Sequence, residues 1–152
     1  MQEHDLFDLN RFLQAQENAY EPALEEIRRG RKLTHWMWYI FPQYAGLGFS
    51  STSVFYAIKS LDEARTYLSH PVLGTRLVEC CETLLALDGL TAHAIFGSPD
   101  DLKLCSCMTL FDLISPTGSV FEQVLAKYCD GKPDQRTLEL IGNDLLQKDA
   151  GG

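Results

Sequence analysis

The sequence lacks any long apolar run: no stretch of its 152 residues approaches the roughly 18 apolar positions that a membrane helix needs. It also lacks a basic start, because it opens with the acidic run MQEHD, whereas a signal peptide begins with basic residues. Both absences argue against membrane-spanning and secreted classes. We therefore expect a cytoplasmic protein with no membrane partner.

Basic residues are scarce, with 13 Lys and Arg against 21 Asp and Glu, which gives a formal net charge of -8. Generic binding to duplex nucleic acid depends on a face rich in Lys and Arg, so duplex nucleic acid is not an expected partner. The acidic charge balance still permits a local anion-binding pocket. The apolar fraction of 45% and the chain length are ordinary for one globular domain.

Cysteine pairing signals are also missing. The five cysteines occur as Cys80-Cys81, Cys105-Ser106-Cys107 and Cys129, which is neither a Cys-x-x-Cys pair nor the even framework of a secreted domain. We expect reduced thiols in or near a core. No pair has the spacing of a structural zinc site, so neither a metal nor another cofactor is expected.

Several catalytic and strand signals are absent. The chain has no G-x-S-x-G, H-E-x-x-H or EF-hand loop, which lowers the odds of a common serine hydrolase, metalloprotease or calcium sensor. No pair of alternating β-runs flanks an Asn-Gly or Asp-Gly turn. These absences favour an all-α orthogonal bundle of roughly six to eight helices.

Helix caps and apolar stripes support this class. Ser60–Glu63 and Ser119–Glu122 have the form of capping boxes. Apolar residues recur at helical spacing over Leu73–Leu84, and Asp88-Gly89 is a turn signal that ends this helix. The sequence therefore predicts helices that begin after both serines and one that carries the Leu73–Leu84 stripe and ends before Asp88-Gly89.

The second half of the chain gives further boundaries. Ser98-Pro99-Asp100-Asp101 predicts a serine-capped helix of about fifteen residues, with proline at its first position. The preceding segment, Thr91 to Gly97, is interpreted as a possible short strand. We expect one helical domain over residues 4–147 and a disordered tail over residues 148–152.

The segment from Arg28 to Ser51 differs from the rest of the chain. It contains four cations, Arg28, Arg29, Arg31 and Lys32. Both tryptophans of the chain, Trp36 and Trp38, follow shortly after them. Guanidinium groups pair with phosphate oxygens, and indole rings stack on heterocycles. The pattern favours a ligand that carries both a phosphate and a base.

Other candidates lie in the same segment. His35 is a proton donor or acceptor near neutral pH, and it is the histidine placed between the cations and the aromatic residues. Gly46, Gly48 and Ser50 offer flexible backbone and a hydroxyl near a possible helix start, a geometry that brings N–H groups to an anion. With Arg31, Lys32, Trp36 and Trp38, they form the set of ligand-binding candidates.

Five motifs are distinctive: His35-Trp36-Met37-Trp38, Phe41-Pro42-Gln43, Gly46-Leu47-Gly48-Phe49-Ser50, His70-Pro71-Val72-Leu73-Gly74 and Met108-Thr109-Leu110-Phe111. In these motifs the chain resembles the bacterial domain-of-unknown-function family 1810. The resemblance covers nearly the whole chain and implies a mostly helical domain. Gln43 lies in one of these motifs and joins the ligand-binding candidates.

A second pattern consists of Tyr56-Ala57-Ile58-Lys59 and, further along the chain, Leu125, Lys127 and Thr137-Leu138. It is similar to the Ala-x-Lys helix and downstream order of the NADAR family, helical proteins associated with NAD and ADP-ribose chemistry. This looser resemblance covers about half the chain and adds Lys59 to the ligand-binding candidates. The resemblance implies an N-glycosidase. Because glycosidic cleavage needs a carboxylate, Glu63 and Asp112 join His35 as catalytic candidates.

Two alternatives to this enzyme hypothesis stay open. In one, the aromatic segment forms a protein interface, of which a homodimer is the simplest case, because Trp, Tyr and Arg dominate interface hot spots. In the other, Trp36 to Phe41 is simply part of the core. The expected ligand is a phosphorylated nucleoside, and the alternative function is a protein-interaction module without catalysis.

Overall fold

The computed structural model describes residues 5–151, with side chains described for residues 5–147. All regular structure in these residues is helical apart from one isolated bridge, which confirms the all-α fold class. The helices in chain order are α1 (Asn10–Gln16), α2 (Tyr20–Arg28), α3 (Met37–Ile40), α4 (Ser51–Tyr56), α5 (Leu61–Ser69), α6 (Leu73–Ala86), α7 (Ala92–Phe96), α8 (Asp100–Leu113), α9 (Val120–Tyr128) and α10 (Gln135–Gly151).

The described residues contain ten helices, which exceeds the predicted six to eight. The excess comes from α3, α4 and α7, which have four, six and five residues. A helix this short completes fewer than two turns, so it leaves no apolar periodicity in the sequence.

Helix α8 is the centre of the bundle. Every residue from Ser106 to Phe111 is buried, so this helix has no face turned to solvent over that stretch. It packs against α5, α7, α9 and α10. A helix buried on all sides lacks the amphipathic stripe of a surface helix.

The two capping boxes are confirmed. Ser60 Oγ accepts a hydrogen bond from Glu63 N at 3.0 Å, and Ser119 Oγ accepts one from Glu122 N at 3.2 Å. Each glutamate reaches one residue further back than a standard box requires. Glu63 accepts from Lys59 N at 3.0 Å, and Glu122 accepts from Gly118 N at 2.7 Å.

Two local predictions are wrong. The segment read as a possible strand contains α7, whose N-cap Thr91 accepts a hydrogen bond from Ala94 N at 3.0 Å. The predicted serine cap before α8 is absent, because the helix begins at Asp100 after a cis Ser98–Pro99 peptide, and Pro99 occupies the N-cap position. The acidic first turn supplies the favourable helix-dipole interaction instead.

The prediction that all five thiols are reduced is wrong for two of them. Cys105 and Cys129 form a disulfide with a Cα–Cα distance of 6.0 Å, because α9 packs along α8 and brings its end to the second turn of that helix. Cys80, Cys81 and Cys107 are free and buried. Burial raises the pKa of Cys80 to about 12 and raises the pKa values of Cys81 and Cys107 well above the ordinary range.

Two further expectations concern the C-terminal tail and membrane-spanning helices. The predicted disordered tail, residues 148–152, falls where no side chains are described, so it stays a prediction. Among the described residues, no helix combines the length and apolar character required to cross a bilayer.

Candidate functional site

Glu26 of α2 organises the start of the aromatic segment. Its Oε1 accepts hydrogen bonds from Leu33 N at 2.7 Å, Thr34 N at 3.0 Å and the Trp36 indole at 2.9 Å. Thr34 Oγ1 donates to its Oε2 at 2.6 Å. Burial alone would raise the pKa of Glu26, but these hydrogen bonds outweigh it and lower the pKa to about 2.

Trp36 itself belongs to the core. It is 2% exposed and packs near Phe41 and Phe96, with ring centroids 6.2 and 6.3 Å away. Its indole N–H is satisfied by Glu26, as a buried tryptophan requires. Burial therefore leaves its ring little surface on which a ligand could stack.

The Glu26 network predicts an acid-sensitive contribution to stability. Because the folded-state pKa is about 2 and the ordinary value is 4.5, the folded state binds fewer protons, and this stabilisation is lost as pH falls through that window. At pH 6, Glu26→Gln is expected to lower the free energy of unfolding by about 1–2 kcal/mol, after allowance for solvent screening. Urea unfolding at pH 6, 4 and 3 measures this difference.

The same experiment needs a charge control. Glu25→Gln removes one carboxylate at the neighbouring position, where Glu25 makes only surface ion pairs with Arg28 and Arg29. The difference between the two variants should be largest at pH 6 and should shrink between pH 4 and pH 3. A difference from wild type that stays constant for Glu26→Gln down to pH 3 would contradict the assigned network.

Lys32 is also engaged within the fold. Its Nζ lies 3.0 Å from Asp100 Oδ2 and donates to Thr34 O at 2.6 Å, and its side chain is only 7% exposed. It therefore ties the loop after α2 to the first turn of α8. Arg31 and His35, by contrast, are exposed on the same loop.

Glu63 forms a buried ion pair with Arg11. Glu63 Oε2 lies 2.6 Å from Arg11 Nη2, and both side chains are less than 5% exposed. Arg11 also donates to four backbone carbonyls, those of Phe7, Asp8, Phe55 and Ala57, at 2.6–3.0 Å. These contacts stabilise the junction of α1, α4 and α5, and the predicted catalytic role of Glu63 stays a prediction.

The three catalytic candidates lie on different elements. His35 is in the loop before α3, Glu63 is in the first turn of α5, and Asp112 is near the end of α8. Asp112 Oδ1 accepts a hydrogen bond from Ser119 Oγ at 3.1 Å, which links α8 to the start of α9. Each group therefore has its own neighbours, and a joint catalytic role stays a prediction.

An isolated parallel bridge between Tyr44 and Ile58 brings two predicted segments together. Ala45 N donates to Ile58 O and Ile58 N donates to Gln43 O, both at 2.8 Å. This contact places the residues around Gln43 next to Lys59. Two adjoining clefts open around it.

The first, which we call the aromatic cleft, lies between α3 and α4. It is lined by Trp38, Gln43, Tyr44, Leu47, Gly48, Ser53, Tyr56 and Ala57. Its volume is about 20 Å³, which is room for about one water molecule. Trp38 is half-buried here, with Lys103 Nζ 5.6 Å from its ring centroid.

The second, which we call the charged cleft, lies between α5 and α10 and has a volume of about 310 Å³. It is lined by Tyr44, Lys59, Ser60, Leu61, Asp62, Arg65, Ile141, Asp144 and Leu145. Tyr44 belongs to both clefts, and its hydroxyl donates to Asp144 Oδ2 at 2.5 Å. Burial and this hydrogen bond raise the pKa of Tyr44.

Charge in this second cleft is balanced. Arg65 Nη1 lies 3.1 Å from Asp62 Oδ1, while the Lys59 ammonium has no ion-pair partner among the residues whose side chains are described. Lys59 is exposed at the mouth of the cleft. It is therefore the cation most available to an incoming anion there.

The structure brings together part of the predicted ligand-binding set. Trp38, Gln43 and Gly48 line the aromatic cleft, and Lys59 lines the charged cleft. Ser50 borders the first cleft, because it caps α4 and donates to the lining residue Ser53 at 2.9 Å. Arg31, Lys32 and Trp36 line neither cleft.

Gly46 has a packing role in the fold, and its predicted part in ligand binding stays a prediction. Its φ of +102° lies in the left-handed region, and a Cβ at this position would lie 3.0 Å from Leu140 Cδ2. The glycine therefore permits close packing of this loop against α10.

Sequence reasoning missed several lining residues of the clefts. Tyr44 directly follows the motif Phe41-Pro42-Gln43 and Tyr56 begins the motif Tyr56-Ala57-Ile58-Lys59, so their aromatic character was a usable signal. Asp144 gave none, because it is 100 residues from its partner Tyr44 in the chain.

A cavity larger than either cleft lies elsewhere in the structure. An open groove of about 1060 Å³ runs along α6 and the start of α9, and its lining includes Val78, Glu79, Glu82, Pro116 and Phe121. The groove is predominantly apolar, and its charged lining residues are Arg28, Glu79 and Glu82, so its net charge does not favour an anion. None of the predicted site residues lines it.

These features define a single-domain, all-α protein with an aromatic and a charged cleft joined at one tyrosine. Over residues 6–141 the chain matches the family model described as a protein of unknown function (DUF1810), and it belongs to that family. The resemblance to family 1810 is thus confirmed. The looser resemblance to the NADAR family lies outside what this match shows and stays a hypothesis.

A solved structure supports the same conclusion. The chain is similar to the conserved hypothetical protein Rv1873 from Mycobacterium tuberculosis, with 49% sequence identity and a TM-score of 0.89. The match covers 91% of this chain and 99% of that protein. No curated protein matches the chain.

Proposed function

We propose that the protein binds a phosphorylated nucleoside, of the ADP-ribose or guanine nucleotide type, across the two clefts that share Tyr44. The observation that carries the proposal is this shared wall: aromatic side chains lie on one side of Tyr44, and Lys59 and Arg65 lie on the other. Such a ligand has the same two-part chemistry, a planar base beside an anion.

The charged cleft is the part that fits the ribosyl phosphate. Its volume of about 310 Å³ is at the lower end of the range for small-molecule sites. Lys59 is free to pair with phosphate oxygens, and Asp144 and Ser60 offer acceptors and a donor for ribose hydroxyls. Asp62 and Asp144 disfavour a triphosphate in this cleft, because like charges repel.

The base would approach the aromatic cleft. At about 20 Å³ this cleft does not hold a purine as it stands, so binding requires Trp38 or Tyr56 to rotate. Trp38 is half-buried rather than fully buried, and rotation of its ring would change its contact with the Lys103 ammonium, which lies 5.6 Å from the ring centroid. The proposal therefore includes an induced change in Trp38 fluorescence.

The finer hypothesis is N-glycosidase activity on such a ligand. Cleavage of a glycosidic bond needs a carboxylate beside the ribose, and those lining the charged cleft are Asp62 and Asp144. Glu63 approaches this cleft through its hydrogen bond from Lys59 N, while its other oxygen is held by Arg11. Release of free base from a bound ligand is the product assay for this activity.

Removing the Lys59 ammonium is expected to weaken ligand binding about tenfold, because a charge-assisted hydrogen bond to phosphate would be lost. The measurement is Trp fluorescence and melting temperature during titration of wild type and Lys59→Ala with ADP-ribose, NAD and GMP. Lys132→Ala is the matched control, because Lys132 is exposed and lines neither cleft.

Two results would contradict the proposal. One is a wild-type protein whose fluorescence and melting temperature do not respond to any of the three compounds. The other is a response that Lys59→Ala and Lys132→Ala alter equally. A flat response would favour the interaction-module alternative, since Phe49, Val54 and Phe55 expose 88, 54 and 52% of their surface around α4.

A further inference from the structure

Among the cysteines, the disulfide-bonded pair Cys105–Cys129 is more accessible to solvent than the three free thiols. Both of its cysteines are half-buried, whereas Cys80, Cys81 and Cys107 are fully buried. Burial also raises the pKa values of these three thiols, which disfavours the reactive thiolate. A dissolved thiol or disulfide can therefore reach the bonded pair more readily than the other three.

The disulfide holds one end of the segment that leads to α10. Cys129 is the C-cap of α9, and residues 130–134 connect it to α10. At the other end of this connection, Asp134 N donates to Thr109 Oγ1 at 2.7 Å. Cys105 and Thr109 are one turn apart on α8, so both ends of the connection are fixed to the same turn of the central helix.

The connection also sets the start of α10. Asp134 Oδ2 accepts hydrogen bonds from Thr137 N at 2.9 Å and from Thr137 Oγ1 at 2.6 Å. Helix α10 therefore begins directly after Asp134, the residue whose backbone N–H donates a hydrogen bond to Thr109 of α8. A shift of residues 129–134 would move this cap with it.

Beyond its first turn, α10 is anchored at three points: Ile141 is buried, Leu140 packs against the loop at Gly46, and Asp144 accepts a hydrogen bond from the Tyr44 hydroxyl. Further along the helix, Leu145 and Leu146 are 47 and 68% exposed. Few buried apolar contacts mean a low free energy of local opening. The position of α10 consequently depends on these three contacts and on the connection that the disulfide fixes.

We propose that Cys105–Cys129 is a site of reversible thiol–disulfide exchange with a low-molecular-weight thiol such as glutathione, and that its redox state sets how firmly α10 is docked. In reduction, one glutathione thiolate attacks a protein sulfur and releases the other as a thiol, giving a mixed disulfide. A second glutathione cleaves it, so two glutathione thiols become one glutathione disulfide and the protein gains two protons and two electrons. Oxidation by glutathione disulfide is the reverse.

The position of α10 determines the shape of the charged cleft. Ile141, Asp144 and Leu145 of α10 form one wall of that cleft, and Asp144 holds the Tyr44 hydroxyl. The oxidised protein keeps this wall in place, and reduction loosens it. This consequence, unlike the exchange itself, rests on the proposed function of the cleft.

Limited trypsin digestion tests the proposal, because Arg136 is exposed in the first turn of α10. Protein equilibrated with glutathione disulfide is compared with protein reduced by dithiothreitol, and fragments are identified by mass spectrometry. Cleavage after Arg136 is expected to be about tenfold faster in the reduced protein, whereas cleavage after Arg65 of α5 should not change. Cys105→Ser should be cleaved quickly in both media.

Cys107→Ala is the matched control on the same helix. It removes a buried sulfur and lowers stability, but it keeps the disulfide, so its cleavage after Arg136 should still depend on redox state. Equal cleavage of oxidised and reduced wild type would overturn the proposal. So would five titratable thiols, rather than three, in denatured protein that had been equilibrated with glutathione disulfide.

Ligand titration of both redox forms separates the two proposals. Redox-dependent cleavage without any ligand response overturns the proposed function and leaves the exchange site standing. Ligand binding with redox-independent cleavage overturns the exchange proposal alone. Weaker binding by the reduced form supports both.

Discussion

Replacing Glu63 with alanine is expected to lower the free energy of unfolding by about 3–5 kcal/mol, because it leaves the Arg11 guanidinium buried without its counter-charge. The pair lies 2.6 Å apart with both side chains less than 5% exposed, so water cannot take the place of the missing carboxylate. The backbone N–H of Lys59 also loses its acceptor. Urea unfolding followed by circular dichroism measures the loss.

Two variants make this result interpretable. Asp62→Ala removes the adjacent carboxylate of the same helix, but Asp62 is exposed, so its loss should cost less than about 1 kcal/mol. Arg11→Met should cost at least as much as Glu63→Ala, because it leaves four backbone carbonyls without their donor. A loss below about 1 kcal/mol for Glu63→Ala would show that the pair is not the buried anchor described.

Gly74→Ala is expected to destabilise the protein by about 3 kcal/mol, although alanine is favoured over glycine within helices. A Cβ at position 74 would lie 1.8 Å from the carbonyl oxygen of Leu68, so α5 and α6 would have to separate. Backbone cannot rotate away as a flexible side chain does. The measurement is the midpoint of urea unfolding at constant pH.

The chain contains its own control for this substitution. Gly142 is a helical glycine of α10, and a Cβ there would meet nothing within 4 Å. Gly142→Ala should therefore raise the free energy of unfolding by roughly 0.5–1 kcal/mol. If both substitutions changed stability in the same direction, the close approach of α5 and α6 would be disproved.

Local signals in the sequence predicted local structure well. Ser60 and Ser119 cap their helices because a capping box is complete within four residues, and the Leu73–Leu84 stripe is buried because its period is set along one helix. Long-range contacts carried no such signal. The disulfide joins residues 24 apart, and nothing in their spacing distinguishes Cys105 from Cys107.

The candidate site shows the same limit. Trp36 and Trp38 are equivalent in the sequence, yet Trp36 is buried against Glu26, ten residues earlier, and Trp38 faces the aromatic cleft. The cations directly before the tryptophans predicted an anion site near them. Of these cations Lys32 is held by Asp100, and the cations that line the charged cleft are Lys59 and Arg65.

The central position of α8 has a consequence for synthesis on the ribosome. Helices α5 and α7, which precede it in the chain, pack against a helix that is made only when residues 100–113 have been translated, and α9 and α10 follow later still. Helices α5 and α7 therefore emerge before the helix that they cover. We expect the core to close only after α8 and α9 have left the exit tunnel, so apolar faces of α5 and α7 stay uncovered until the last third of the chain is made.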